Sequence, residues 1–193
     1  MQVTQLNDQE LIYQYLDGNE QAFEELLNRY KDKIYTSIYL FVKDQSQAED
    51  IFQEVFIKII DTLRKGKYNH EGKFVQWAMR IAYNMCVDQF RRNKRRTVVQ
   101  PTETFDIFDV LQSGELNAEQ SIMRSQTHQK VRTLVDMLPA EQREVVILRH
   151  YADMSFKEIA KLTDVSINTA LGRMRYALIN IRKMIEEKQV ILQ

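Results

Sequence analysis

Apolar residues return every third or fourth position through most of the chain, the spacing of one face of an α-helix. A first helix is predicted over residues 8–17, with Asn7 as its cap, Glu10 completing a capping box and Gly18 as its stop. A second covers residues 20–42 on the stripe Phe23, Leu26, Leu27, Tyr30, Ile34, Ile38 and Phe41. A third is expected to begin at Ser46, where S-Q-A-E reads as a capping box closed by Glu49. It continues through Ile51, Phe52, Val55, Phe56, Ile59, Ile60 and Leu63 and stops at Gly66. After a loop over residues 65–72, a fourth helix covers about residues 74–92 and is expected to bury Phe74, Trp77, Ala78, Ile81, Ala82 and Met85. Beyond Arg96 the periodicity fades. Residues 97–121 hold a Pro, a Gly and no Lys or Arg, and read as an acidic linker whose Phe105, Ile107, Phe108, Val110 and Leu111 are able to dock. Helical spacing returns from about residue 117, with Val131, Leu134, Val135 and Leu138 ahead of Pro139, and three short helices follow over residues 140–151, 155–163 and 167–187. The pattern is that of an all-α chain with two small helical domains, residues 1–96 and 122–193, joined by the linker.

Composition sharpens this picture. Only 5 Gly and 2 Pro occur in 193 residues, which disfavours a turn-rich β fold. The single cysteine, Cys86, excludes an internal disulfide and argues against a thiolate metal site. No apolar run reaches the ~18 residues of a membrane span, and the N-terminus lacks the basic flank and apolar core of a signal peptide. A cytoplasmic protein without membrane insertion is therefore expected. The net charge of +0 hides segregation. Residues 1–57 carry 4 Lys/Arg against 11 Asp/Glu, and residues 58–96 carry 11 against 3. Residues 97–127 carry 1 against 5, and residues 128–193 carry 11 against 8. Such blocks are either solvated helix faces or partner surfaces.

The sharpest local signal is SFKEIAKLTDVSINTALGRMRYAL, residues 155–178. Ser155 and Glu158 form a capping box, Ile159, Ala160 and Leu162 face inward, and the small Ala160 lets a second helix cross closely. Residues 163–166 make the turn, Val165 fills the pocket between the helices, and Ser166 caps the second one. An ordinary helical hairpin shares part of this pattern; a DNA-binding helix-turn-helix explains all of it. In that reading Asn168, Thr169, Leu171, Gly172 and Arg175 enter a major groove, while Lys157, Lys161 and Arg173 neutralise phosphates.

A second signal lies in residues 65–96, where Tyr68, Phe74, Trp77, Tyr83 and Phe90 are interleaved with Lys/Arg at 65, 67, 73, 80, 91, 92, 94, 95 and 96. Flat rings beside cations suit single-stranded DNA, with bases stacked and the backbone neutralised. Trp77 and Phe74 stand at helical spacing, where rings more often belong to a helix core than to a base platform, and residues 91–96 fit a solvated helix end. Catalysis has no support. His70, His128 and His150 are scattered, and neither a phosphate loop nor a nucleophile motif is present. No cofactor and no metal are expected.

Five segments in order resemble one family: AFEELLNRYKDKIY (residues 22–35), QAEDIFQEVFIKI (47–59), FVQWAMRIAYNMCVDQFRR (74–92), LPAEQREVVILRHYADMSFKEIA (138–160) and VSINTALGRMRYAL (165–178). The chain is similar over nearly its whole length to the extracytoplasmic-function (ECF) sigma factors of bacterial RNA polymerase. The resemblance implies that residues 1–96 form a region 2 domain and residues 122–193 a region 4 domain. Asp50, Gln53, Glu54 and Phe56 would then dock on the clamp of the largest polymerase subunit, with Phe56 as anchor. Lys65, Tyr68, Lys73, Trp77, Arg80, Asn84, Arg91 and Arg92 would bind and melt the minus-ten promoter element. Lys157, Asn168, Thr169, Leu171, Gly172, Arg173 and Arg175 would bind the minus-thirty-five element, and Glu103, Asp106 and Asp109 of the linker would enter the template and RNA channel. The implied partners are core polymerase (the clamp, and the flap of the second-largest subunit), promoter DNA and an anti-sigma factor. Family members often carry Pro at the place of Ser166 and polar or basic residues at those of Leu171 and Gly172, so the match does not extend to a base-by-base reading. No fused C-terminal sensor is expected. The alternative is a polymerase-independent helix-turn-helix regulator, which leaves the acidic third helix and the basic aromatic block without a role. An anti-sigma or adaptor protein would lack two separate DNA-binding faces.

Overall fold

The structure is a computed structural model and describes residues 6–69, 72–96 and 130–188. The expected linker, its docking apolar residues and its carboxylates lie outside the described residues, as do the helical start near residue 117, His70 and His128. All regular structure among the described residues is helical. Internal contacts divide the chain into two compact units, one built by α1 (Asp8–Leu16), α2 (Glu20–Val42), α3 (Gln45–Arg64) and α4 (Phe74–Arg96). The second holds the described part of α5 (residues 130–136), α6 (Ala140–His150), α7 (Phe156–Leu162) and α8 (Ile167–Lys188).

In the first unit α2 packs against α1, α3 and α4, so the core lies along its length. Leu11 and Ile12 of α1, Leu26, Ile34 and Ile38 of α2, Val55, Ile59 and Leu63 of α3, and Phe74, Ala78 and Ala82 of α4 are all fully buried or nearly so. The α1 cap forms as expected, with the Glu10 N–H donating to Asn7 Oδ1 at 3.0 Å and the Asn7 N–H to Glu10 Oε2 at 2.8 Å. The start of α3 differs from expectation. Asp44, not Ser46, is its cap, accepting from the Gln47 N–H at 2.8 Å, and Glu49 instead accepts from Gln45 Nε2 at 2.9 Å. Lys43 turns the chain with φ 57° just before, so the extended residue that faces the open N–H groups is Asp44, whose carboxylate is at least as good a cap as a serine hydroxyl. The buried arc of α4 is also wider than the expected stripe. Val75, Met79, Tyr83 and Cys86 are buried with Phe74, Ala78 and Ala82, whereas Trp77, Ile81 and Met85 are only half-buried. The cause is that α4 packs against both α2 and α3, which displaces the covered arc.

Polar pairs fix the helices to one another. Tyr30 Oη donates to Asp8 Oδ2 at 2.6 Å, and Arg29 bridges Asp8 at 3.3 Å and Glu25 at 3.0 Å, which ties α1 to α2. Burial, and then the Asp8 carboxylate, push the Tyr30 phenol well above its ordinary range. In the second unit α8 crosses α6 and α7 over small residues, Ala160, Ala170 and Ala177, all buried. Arg143 Nη1 donates to the carbonyl oxygens of Asp136 at 3.1 Å and Leu138 at 3.3 Å, so one guanidinium from α6 closes the end of α5.

Candidate nucleic-acid and partner interfaces

The outward side of α3 is acidic. Asp50, Gln53 and Glu54 are exposed, and no hydrogen bond or ion pair engages them among the described residues. Successive positions on a helix turn by about 100°, so residues 50, 53 and 54 share one side. Phe56 does not join them. It lies toward α2, half-buried, with its ring 4.8 Å from that of Phe52, which in turn meets Tyr35 edge-on at 5.6 Å. The expected anchor thus belongs to an aromatic row under the neighbouring flank. Between α3 and α4 runs a groove of about 310 Å³, lined by Asp50, Ile51 and Glu54 on one side and Met85, Asp88 and Arg92 on the other. Asn93 Nδ2 closes its end by donating to Gln47 Oε1 at 3.0 Å.

The outward side of α4, opposite its buried arc, carries Trp77, Arg80, Asn84 and Arg91, at the spacing of one helical stripe continued from Lys73. Arg80, Asn84, Arg91 and Lys73 are exposed. Trp77 is half-buried and stands over a floor of rings, 4.5 Å from Tyr68 and 5.8 Å from Phe74. Both readings of Trp77 are therefore partly met, since one side of the indole is packed and the other reaches the surface. Three expected members stand apart from the stripe. Tyr68 is only 8% exposed and supports Trp77 from beneath, so it offers no open face to a base. Arg92 turns into the α3–α4 groove. Lys65, the C-cap of α3, is held by Asp61 at 2.9 Å, and that hydrogen bond and charge lower the Asp61 carboxyl below its usual range. Arg91 also meets Asp88 at 3.6 Å, an exposed pair of little energetic weight. For Lys94, Arg95 and Arg96 the side chains lie outside the described set.

The helix-turn-helix forms as its caps predict. The Ser155 N–H donates to Glu158 Oε2 at 2.8 Å, and the Glu158 N–H to Ser155 Oγ at 3.3 Å. The turn passes through Asp164 at φ 55°, the Val165 N–H returns to the Ala160 carbonyl at 3.0 Å, and Ser166 Oγ accepts from the Thr169 N–H at 3.0 Å. Asn168, Leu171, Gly172 and Arg175 then lie along the side of α8 opposite the buried Ala170 and Ala177. Asn168, Thr169, Arg175, Lys157 and Lys161 are exposed, and Leu171 is 43% exposed. Arg173 is the exception. It lies at the seam with α6 and meets Glu144 at 3.4 Å, an anionic partner that competes with any phosphate. What sequence reading missed is the separation of Phe56 from residues 50–54, and the signal that finds it is the heptad step Asp50–Ile57.

Among the described residues no group of His, Cys, Asp and Glu is placed to hold a metal ion, and no helix is long and apolar enough to cross a membrane. Two helical units, one with a basic and partly aromatic stripe and the other with a capped helix-turn-helix, carry the surfaces of a DNA-binding protein. The model of sigma-70 region 2 matches residues 26–96, and that of sigma-70 region 4 matches residues 128–175. The RNA polymerase sigma-H factor of Pseudomonas aeruginosa is 28% identical over 177 residues, covering 89% of this chain and 90% of that protein. The ECF RNA polymerase sigma factor SigW of Bacillus subtilis is 26% identical over 180 residues, covering 91% and 95%. A similar fold occurs in the sigma factor RpoE of Bartonella quintana, solved with the anti-sigma factor NepR, with TM-score 0.62 and 18% identity over 85% of this chain and 96% of that one. The chain belongs to the ECF sigma factors, the initiation factors that direct RNA polymerase to particular promoters.

Proposed function

We propose that the two units divide promoter recognition between them while the polymerase carries all the chemistry. The exposed Asp50, Gln53 and Glu54 dock on a basic surface of core polymerase, the clamp of its largest subunit. The α4 stripe, Trp77 over its ring floor with Lys73, Arg80, Asn84 and Arg91 around it, receives the minus-ten element and holds its strands apart. A stacked base contributes roughly 1–3 kcal/mol, comparable to the cost of unstacking a step. Tyr68 supports the indole in this scheme, and Arg92 belongs to the α3–α4 groove. Asn168, Leu171, Gly172 and Arg175 of α8 enter the major groove of the minus-thirty-five element, with Thr169 beside them and Lys157 and Lys161 on phosphates. Leu171 donates no hydrogen bond and is suited to a thymine methyl. The domain limits follow as residues 1–96 and 122–193, with the site of action in the cytoplasm.

An anti-sigma factor is proposed as a further partner, since a structural relative was solved with one bound. The observation that carries the reading is the pairing of an unengaged acidic side on α3 with a basic, ring-floored stripe on α4 of the same unit. The test is binding of the purified chain to core polymerase with Asp50→Arg as comparison. The charge reversal should weaken association about ten-fold or more; unaltered association would remove the clamp assignment.

A further inference from the structure

Ile57 is the most exposed large apolar side chain among the described residues, at 64%. One such residue on a helix surface is ordinary; its place here is not. Asp50, Gln53, Glu54 and Ile57 stand at i, i+3, i+4 and i+7 of α3, so all four project from one side of the helix, and all four are exposed. The three polar members are engaged by nothing within the described fold. Beyond Ile57 the same side continues to Asp61, which Lys65 already neutralises, so Ile57 closes the unengaged patch. Phe56, one position earlier, is turned away toward Phe52 and Tyr35 and is not available to this side.

We infer that Ile57 is the apolar anchor of the polymerase-docking face. It fills a hydrophobic depression on the largest subunit while Asp50 and Glu54 pair with basic residues at its rim. The inference rests on the docking role proposed for α3 and deepens it by naming the residue that gives the contact its affinity. Interfaces with this anatomy concentrate their energy in a few apolar side chains ringed by polar ones, and the ring contributes mainly orientation and encounter rate. The occupant is a basic amphipathic element, because four successive outward positions offer two carboxylates, an amide and a branched aliphatic group. Continuity with residues 50–54 places Ile57 in the same contact as these groups.

The full chain and intact core polymerase serve for the test. Ile57→Ala replaces an exposed residue by a better helix former, so helix content and melting temperature should hold or rise. Affinity for core polymerase should fall about ten-fold or more, chiefly through faster dissociation. Ile57→Leu should restore most of it. At saturating protein the Ile57→Ala complex should initiate at the same promoters as the unaltered chain, because docking and promoter reading are separate surfaces. Native-like affinity of Ile57→Ala, alongside weak binding by Asp50→Arg, would overturn the anchor role and leave the docking face standing. Native-like affinity of both would overturn the docking face itself.

Discussion

Arg80 and Asn84 stand in solvent on α4, so truncating them separates recognition from folding. Arg80→Ala and Asn84→Ala should leave the unfolding free energy within about 0.5 kcal/mol of the unaltered chain while slowing open-complex formation, which permanganate footprinting reads directly. Unchanged opening by both would take the minus-ten element off this stripe. Trp77 behaves differently, because Tyr68 and Phe74 pack against it, and Trp77→Ala should lower stability and opening together. Phe56→Ala should act on stability alone, costing roughly 1–3 kcal/mol through its lost packing on Phe52, and leave core binding near native. Cys86 is 1% exposed, and burial pushes its thiol up to about 12. At pH 8 it stays protonated, so iodoacetamide should label the unfolded chain quickly and the native chain hardly at all. Rapid labelling of the native chain would contradict the packing of α4. At this scale the residue types were readable from the sequence but their directions only in part. Phe56 and Asp50 lie close along the chain, but six residues of helical rotation turn them to different sides, which the heptad step Asp50–Ile57 already signals.

Among the helices, those with strong local caps were legible and those shaped by tertiary contacts were less so. The Asn7–Glu10 and Ser155–Glu158 boxes form as read, since both halves of each lie within four residues. The α3 cap moved to Asp44 because the left-handed Lys43 decides which residue meets the open amides, and no spacing rule reports that. The buried arc of α4 widened because two helices cover it. Likewise Arg173 reads as a DNA contact from its place on α8, yet Glu144 lies far away in sequence and meets it only in the folded unit. Arg143 was invisible beforehand for the same reason. Arg143→Ala should destabilise the second unit by roughly 1.5–3 kcal/mol, the scale of hydrogen bonds to a charged group, as measured by thermal unfolding. A loss under about 0.5 kcal/mol would mean that the α5 end is closed by other means.

For the whole molecule, neutrality is the misleading number and segregation the useful one. An acidic side on α3 and a basic stripe on α4 belong to one unit, and a helix-turn-helix to the other, so one chain can address a protein and a duplex at once. Binding to promoter DNA should accordingly weaken linearly with the logarithm of salt concentration, by close to one unit of slope per neutralised phosphate. Arg175→Ala, if Arg175 reads a base, should cost about 1–3 kcal/mol at the minus-thirty-five element and relax preference there. The two-domain, all-helical plan was readable from periodicity and charge alone, because each helix carries its own stripe. The most direct test is transcription in vitro, with core polymerase, this chain and a library of promoter fragments, followed by mapping of RNA 5′ ends. Starts should map to a defined set of positions, each preceded by two common elements and absent without the chain. No chain-dependent start, with the chain instead binding closed duplex sites unaided, would contradict a sigma-factor role.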